Sequence, residues 1–444
     1  MELSGTVRKL LEDAGISPTP EATGSPVTGV PLRMVLLGDS EGQAQAVCRQ
    51  DDLLDLVGLN KQLARDYRLV PQGEYARLAR ENGLYWIPAL PALTGWPTLV
   101  DSRVGQAGTV IVEPAGEDAR LALSQQEFRE LAGKYEERSF SVPLSEIHLG
   151  PESPEKDREQ VFNAIRRFTG LRIRQRLEDT LELPPLPETA QRIIHLRVNP
   201  NATMGELVDI VESDPSLAAQ VVSWASSSFY AAAGQVRSVH DAVSRVLGFD
   251  LVMNLAMGLS LGRALKQPED HPRGFLGYWQ QAIWQAQAAG VLASMMPRDR
   301  RPTFGLAYLA GLLHNFGYLV LAQVFPPHFQ LACRNWEVND HIDTSVVEQH
   351  LLGVTREQLA AELMANWGMP DEVVVALRYQ KILAFRGIHD TYAHLLWLGR
   401  HLLNERGLGI GAREAIPEAL YEQLGLDPER VAQEFDDLVA SRDS

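Results

Sequence analysis

The 444 residues carry a formal net charge of −16 at pH 7 and are 45% hydrophobic. At about 100–200 residues per domain, this predicts two to four packed domains and excludes wholesale disorder. Cys48 and Cys333 are the only cysteines, which excludes a disulfide scaffold or a Cys-rich zinc module and suggests a reducing compartment. The acidic excess is spread along the chain, which argues against non-specific nucleic-acid binding by charge.

Residues 1–140 read as mixed α/β. Arg33–Leu37, Ala44–Arg49, Tyr67–Val70, Thr98–Val100 and Thr109–Val112 are short apolar runs of strand length. Gly38-Asp39-Ser40-Glu41-Gly42 separates the first two as a hairpin turn. Helical spacing runs through Asp52–Leu63 and Pro71–Glu81, and Ser124-Gln-Gln-Glu127 is a capping box opening a further helix. Met1 to Gly15 lack the apolar segment of a secretory signal, so a cytoplasmic location is expected.

Residues 141–156, broken by Pro143, Gly150, Pro151 and Pro154, read as an exposed linker. Helical periodicity dominates from Asp157 onward, with no strand alternation. The spacing predicts helices that include Val161–Arg176, with a break at Thr169-Gly170, and Asp371–Phe385. Phe304–Phe325 holds no Asp, Glu, Lys or Arg and is long enough to span a bilayer. His314, Asn315 and Gln323 would be costly there, so it is read as a helix buried all round, ended by Pro326-Pro327. The expected division is 1–140, a linker and basic helix at 141–176, an all-α domain at 177–385, and a helical tail at 386–444.

Three motifs follow one another in the helical part. Leu183-Pro-Pro-Leu-Pro187 imposes an extended entry. Asp214-Pro-Ser-Leu217 suits a helix start, and Ser238-Val-His-Asp-Ala-Val-Ser-Arg-Val-Leu-Gly248 ends on a helix-terminating glycine. This order resembles the HDOD family, a bacterial signalling domain related to the HD phosphohydrolases, over about Leu177 to Phe385. The resemblance implies an all-α fold and a regulatory, non-catalytic role. Ser226-Ser-Ser-Phe-Tyr230 departs from the family's Asn-Ser-x-x-Tyr pattern.

An HD hydrolase needs His and Asp side chains converging on one or two metals that activate water. Matched motif by motif, the metal-binding His-Asp pair falls at His314-Asn315, within Gly311-Leu-Leu-His-Asn-Phe-Gly317. The other positions expected to carry His hold Gln281, Arg356 and Gln380-Lys381. The resemblance therefore implies a site without metal or other cofactor. Gln281, His314, Asn315, Arg356, Gln380 and Lys381 would form a degenerate pocket. It would either bind a small anion such as a nucleotide phosphate or be a polar network satisfied internally. His240-Asp241 and His389-Asp390 are read as helix starts rather than ligands, and Glu348, His350, His394 and His401 as surface or packed residues.

In the first domain, Asp52-Leu-Leu-Asp-Leu-Val-Gly-Leu-Asn-Lys-Gln-Leu63, Pro91-Ala-Leu-Thr-Gly-Trp-Pro-Thr-Leu-Val-Asp101 and Thr109-Val-Ile-Val-Glu-Pro-Ala-Gly116 resemble the YbaK/prolyl-tRNA editing type of aminoacyl-tRNA deacylase. The resemblance implies a mixed sheet with flanking helices, and a pocket drawn from Arg33, Met34, Gly95, Pro97 and Asp101. The family's strand Lys-Thr pair is replaced by Arg33-Met34, so a degenerate domain retained for binding is implied. Tyr85, Trp86 and Trp96 would line that pocket or belong to the core.

Lys156 to Arg176 holds seven basic and two acidic residues. It would dock tRNA or an acidic partner helix, or serve as a solvated face or interdomain clamp. The whole reads as a bacterial regulatory protein acting through protein partners, with tRNA not favoured and no membrane span. The alternatives are a trans-acting deacylase of mischarged tRNA and a metal-dependent HD phosphohydrolase.

Overall fold

Strand β3 (Val30–Asp39) turns at Ser40-Glu41 into β4 (Gly42–Arg49), because Asp39 Oδ1 accepts from the backbone of Glu41 and Gly42. A computed structural model describes residues 2–17, 19–22, 29–117, 119–149, 153–175, 186–230, 235–269, 271–272, 276–408 and 414–440. Two compact units result. The first holds residues 1–148 together with 330–347, and the second holds 149–329 and 348–444.

The remaining strands of the first unit are β1 (Glu2–Leu3), β2 (Thr19–Ala22), β5 (Asp52–Leu54), β6 (Arg68–Leu69), β7 (Thr98–Asp101), β8 (Thr109–Glu117), β9 (Ala119–Ser124), β10 (Glu136–Arg138) and β11 (Ser141–Pro143). The main sheet runs β10-β7-β4-β3-β8-β9-β2, with parallel and antiparallel pairs mixed, and β11 pairs with β5 in a small second sheet. Helices α1 (Gly5–Asp13) and α4 (Gln125–Ala132) close one face through Val7, Leu11 and Phe128. Ser124 and Glu127 form the expected capping box of α4. Helix α2 (Leu56–Leu63) covers the other face with Leu56 and Leu59, and α3 (Gln72–Glu81) lies beyond β6. The expected mixed α/β domain is present. Asp52–Leu54 is strand rather than helix, and Ser141–Pro143 is a sheet strand rather than exposed linker. Val142 opposite Leu53 closes a ladder that a proline count cannot reveal.

None of the described residues of the second unit lies in a strand. Its helices are α5 (Pro154–Gln175), α6 (Glu188–Val198), α7 (Met204–Glu212), α8 (Pro215–Ala225), α9 (Val239–Asp241, continued by a π-helical turn at Ala242–Leu247), α10 (Phe249–Ala264), α11 (Tyr278–Met295), α12 (Phe304–Leu313) and α13 (Phe316–Val324). After α14 (Pro326–Val338) and α15 (Thr344–Leu352), both shared with the first unit, come α16 (Arg356–Asn366), α17 (Asp371–Tyr379), α18 (Asp390–Glu405), α19 (Glu418–Leu424) and α20 (Pro428–Ala440). Asp214 caps α8 by accepting from Ser216 and Leu217 at 3.0 Å, and Gly248 takes φ +80° before α10.

Several sequence expectations change here. The apolar stretch ends before Pro326-Pro327 as expected, with α13 stopping at Val324, and the two prolines also open α14, since proline is tolerated in a helix's first turn. Helix α5 runs through Thr169-Gly170 without a break, and α17 stops at Tyr379. The first compact unit reaches past residue 140, taking in residues 141–148 and 330–347. Leu183-Pro-Pro and Arg176 lie outside the described residues. The apolar stretch Phe304–Val324 is long and apolar enough to cross a membrane, but nearly all of it is buried within the unit and it is two helices.

Candidate functional site

The polar site of the second unit forms where α12 breaks. His314 N–H donates to Gly311 O, Asn315 leaves the helical conformation, and α13 starts again at Phe316. Gly311 and Gly317, either side of the break, let neighbouring backbones close in. A Cβ at Gly311 would lie 2.6 Å from Ala286 Cα, and one at Gly317 would lie 2.0 Å from Arg356 O. Helices α11 and α16 thereby bring their side chains against Asn315.

Those side chains form one continuous chain of hydrogen bonds. Gln281 donates to Leu276 O and accepts from Asn315 at 3.2 Å. Asn315 Oδ1 accepts from Arg356 Nη1 at 3.2 Å. Arg356 donates its Nε to Glu348 Oε1 at 2.5 Å and its backbone N–H to Glu348 Oε2 at 2.7 Å. Glu348 is 0% exposed, so burial pushes its carboxyl up while the Arg356 guanidinium pulls it back. Gln380 donates to His314 O at 2.8 Å, and Lys381 pairs with Glu357 at 3.0 Å.

All six predicted residues of this pocket therefore belong to one polar neighbourhood, yet its chemistry differs from a metal centre. Both oxygens of Glu348 face Arg356, and the Asn315 amide has a partner at each end. A guanidinium occupies the middle of the network and would repel a divalent cation. Among the described residues no three His, Cys, Asp or Glu side chains gather into a metal-holding group. The residues present do not fit a metal. Nor are Arg356 and Lys381 uncommitted cations, because each lies against a carboxylate of its own.

His314 Nδ1 lies 2.8 Å from Gly311 O, which assigns its proton to Nδ1. Burial, reinforced by the positive charges of Arg400, Lys381 and Arg356, lowers its pKa to about 4. The unfolded chain takes up this proton near pH 6.5, whereas the folded chain resists until about 4. Stability is thus complete above pH 6.5 and falls as pH drops toward 4. Between pH 7 and 5 the loss is on the order of 2 kcal/mol from this ring. Urea unfolding at the two pH values measures it. His314→Gln should reduce the difference by about this ring's share, and an unchanged wild-type midpoint would contradict the assignment.

In the first unit, strand register places Arg33, Cys48 and Asp101 side by side on β3, β4 and β7. Arg33 Nε donates to Cys48 Sγ at 3.4 Å. Its Nη2 donates to Val338 O at 2.6 Å and Asn339 Oδ1 at 3.1 Å, and its Nη1 to His341 Nδ1 at 2.5 Å. Burial and the adjacent Arg33 lower the His341 pKa to about 3, so the ring accepts as neutral imidazole. Asp101 is 1% exposed and accepts from the backbone of Arg103, Phe140 and Ser141. It anchors β11 instead of facing an open pocket.

The other predicted pocket residues are not gathered with these. Met34 points to the opposite sheet face, as strand alternation requires. Gly95 and Pro97 sit in the loop before β7, which Gln45 holds by donating to Pro91 O, Trp96 O and Thr98 Oγ1. Tyr85 and Trp86 are 96% and 65% exposed and so belong neither to the core nor to a closed pocket, while Trp96 packs half-buried.

Sequence reasoning missed Glu348 and Glu357 as counter-ions, Gln45 as the loop's anchor, and the segment 330–347 over Arg33. Asn339 donates to Leu54 O and accepts from Leu54 N–H, as a neighbouring strand would. For Gln45 the available signal was a polar residue within the apolar run Ala44–Cys48. The His-Asp dipeptides are helix starts: Asp241 accepts from Arg237 N–H, and His389 precedes α18 with φ +66°. His394 is buried between Arg386 and Gln423, and His401 stacks on Trp397.

Comparison with known proteins adds to this geometry. The family described as HDOD domain matches residues 183–383. A solved structure from Marinobacter aquaeolei VT8, provisionally described as a signal transduction protein, is 62% identical over 100% of this chain and 98% of that one, with a TM-score of 0.90. An uncharacterised protein of Treponema pallidum (strain Nichols) is 24% identical over 207 residues, 47% of this chain. The chain spans only 38% of the length of that curated relative. A candidate trans-editing enzyme for prolyl-tRNA synthetase aligns with 32% of the chain at 15% identity and a TM-score of 0.27, too low to carry an argument.

Proposed function

We propose that this chain, whose residues 183–383 match the HDOD domain, is a bacterial regulatory protein that acts in the cytoplasm by binding protein partners, not by catalysis. The carrying observation is the buried Arg356–Glu348 pair, which lies beside Asn315 at the position matched to a metal-binding His-Asp pair. A guanidinium fixed by two carboxylate contacts supplies no Lewis acid and no activated water. The description of the Marinobacter aquaeolei VT8 structure supports the signalling part of this reading. In the first unit, Arg33 is held by Val338, Asn339 and His341, which favours a binding role over aminoacyl-ester hydrolysis.

Two assays test this with the full chain. Bis(p-nitrophenyl) phosphate with added Mn²⁺ or Mg²⁺ should show no turnover above buffer. Mischarged tRNA should release no amino acid beyond the uncatalysed rate. Metal-dependent turnover that disappears in His314→Ala would overturn the reading for the second unit, and ester hydrolysis lost in Arg33→Ala would overturn it for the first.

A further inference from the structure

Helix α5 carries an apolar side chain where a solvated face is expected. Phe162 is 63% exposed. On one side it borders a groove lined by Val161, Ile165, Val320, Val324, Leu359 and Leu363. On the other it shares an outward stripe with Glu159, Asn163 and Arg166, all exposed and spaced i, i+3, i+4, i+7. What fixes α5 to its unit lies on its buried side. Asp157 accepts from Arg378 Nη2 and Gln358 Nε2 at 2.8 and 2.9 Å. Arg158 turns to Glu362 at the groove rim, 3.1 Å away.

The outward stripe is self-complementary. Glu159 and Arg166 stand two turns apart with Phe162 and Asn163 between them. Against an antiparallel copy of itself, each Glu159 meets the other copy's Arg166, and the two Phe162 rings meet near the two-fold axis, beside the apolar grooves. An isologous contact of this kind needs one surface whose charges pair with themselves after a two-fold rotation. Neither a basic nor an acidic foreign helix would pair both charges as well.

We infer that α5 is a self-association face, and that its occupant is a second copy of this chain, packed antiparallel about Phe162. This goes beyond the proposed regulatory reading and stands independently of it.

Light scattering of the full chain over a range of concentrations tests it. The wild type should run at twice the chain mass. Phe162→Glu should raise the dissociation constant about 30-fold or more, because a central aromatic anchor is replaced by charge. Glu159→Arg should raise it about tenfold, since two symmetric pairs become repulsive. Glu159→Arg combined with Arg166→Glu should return it to near wild type, because the swapped charges again pair. The altered side chains are exposed, so circular dichroism should be unchanged throughout. A monomeric wild type would overturn the inference. So would a dimer indifferent to Phe162→Glu, or a charge swap no better than the single reversal.

Discussion

Arg356→Ala is expected to destabilise the helical unit by about 3–5 kcal/mol. The reason is what remains behind. Glu348 is fully buried, and both of its oxygens face Arg356. Without the guanidinium, a carboxylate must either stay charged in a poor dielectric or take up a proton. Asn315 also loses a donor. The double variant Arg356→Met with Glu348→Leu removes both charges and should recover most of the loss, since a buried pair is often replaceable by apolar groups of similar volume. Urea unfolding followed by helical circular dichroism measures both. A single variant within about 1 kcal/mol of wild type would mean that Glu348 has another route to water.

Gly317→Ala is expected to cost about 3 kcal/mol, the upper part of the range for overpacking. Its added Cβ would lie 2.0 Å from Arg356 O, a backbone atom that cannot rotate away. Helices α13 and α16 must part, which also disturbs the Asn315–Arg356 contact. Gly205→Ala in α7 is the matching control, because a Cβ there approaches only Thr203 Oγ1, at 4.0 Å. That change should be neutral or stabilising by up to about 1 kcal/mol, since alanine favours the helix. Equal losses in the two variants would show that close approach of α13 and α16 is not what requires a glycine at 317.

The difference between these glycines was not visible in the sequence. Both lie in helical patterns, and only the neighbouring element distinguishes them. Other features were legible because their physics is local. The Asp39 turn, the Ser124 capping box and the Asp214-Pro215 start each involve residues within three positions of one another. The mixed sheet and the all-helical unit were legible from periods of 2 and 3.6, and the HDOD domain from its ordered motifs. Where local pattern and long-range pairing competed, the pattern misled. Asp52–Leu54 sits at the start of a helical spacing, yet β11 and the Asn339 amide hold it extended.

The sequence by itself determined which residues stand in place of imidazole and carboxylate: Gln281, Asn315, Arg356, Gln380 and Lys381. It left two uses for the cations open, because charge along a chain does not say what faces it across a core. Tertiary structure decided that Glu348 takes Arg356 and Glu357 takes Lys381. It likewise decided that residues 330–347, some 300 positions along the chain, complete the surroundings of Arg33. A buried charge must find its partner within a few ångströms whatever the distance along the chain, and only the folded backbone sets that distance.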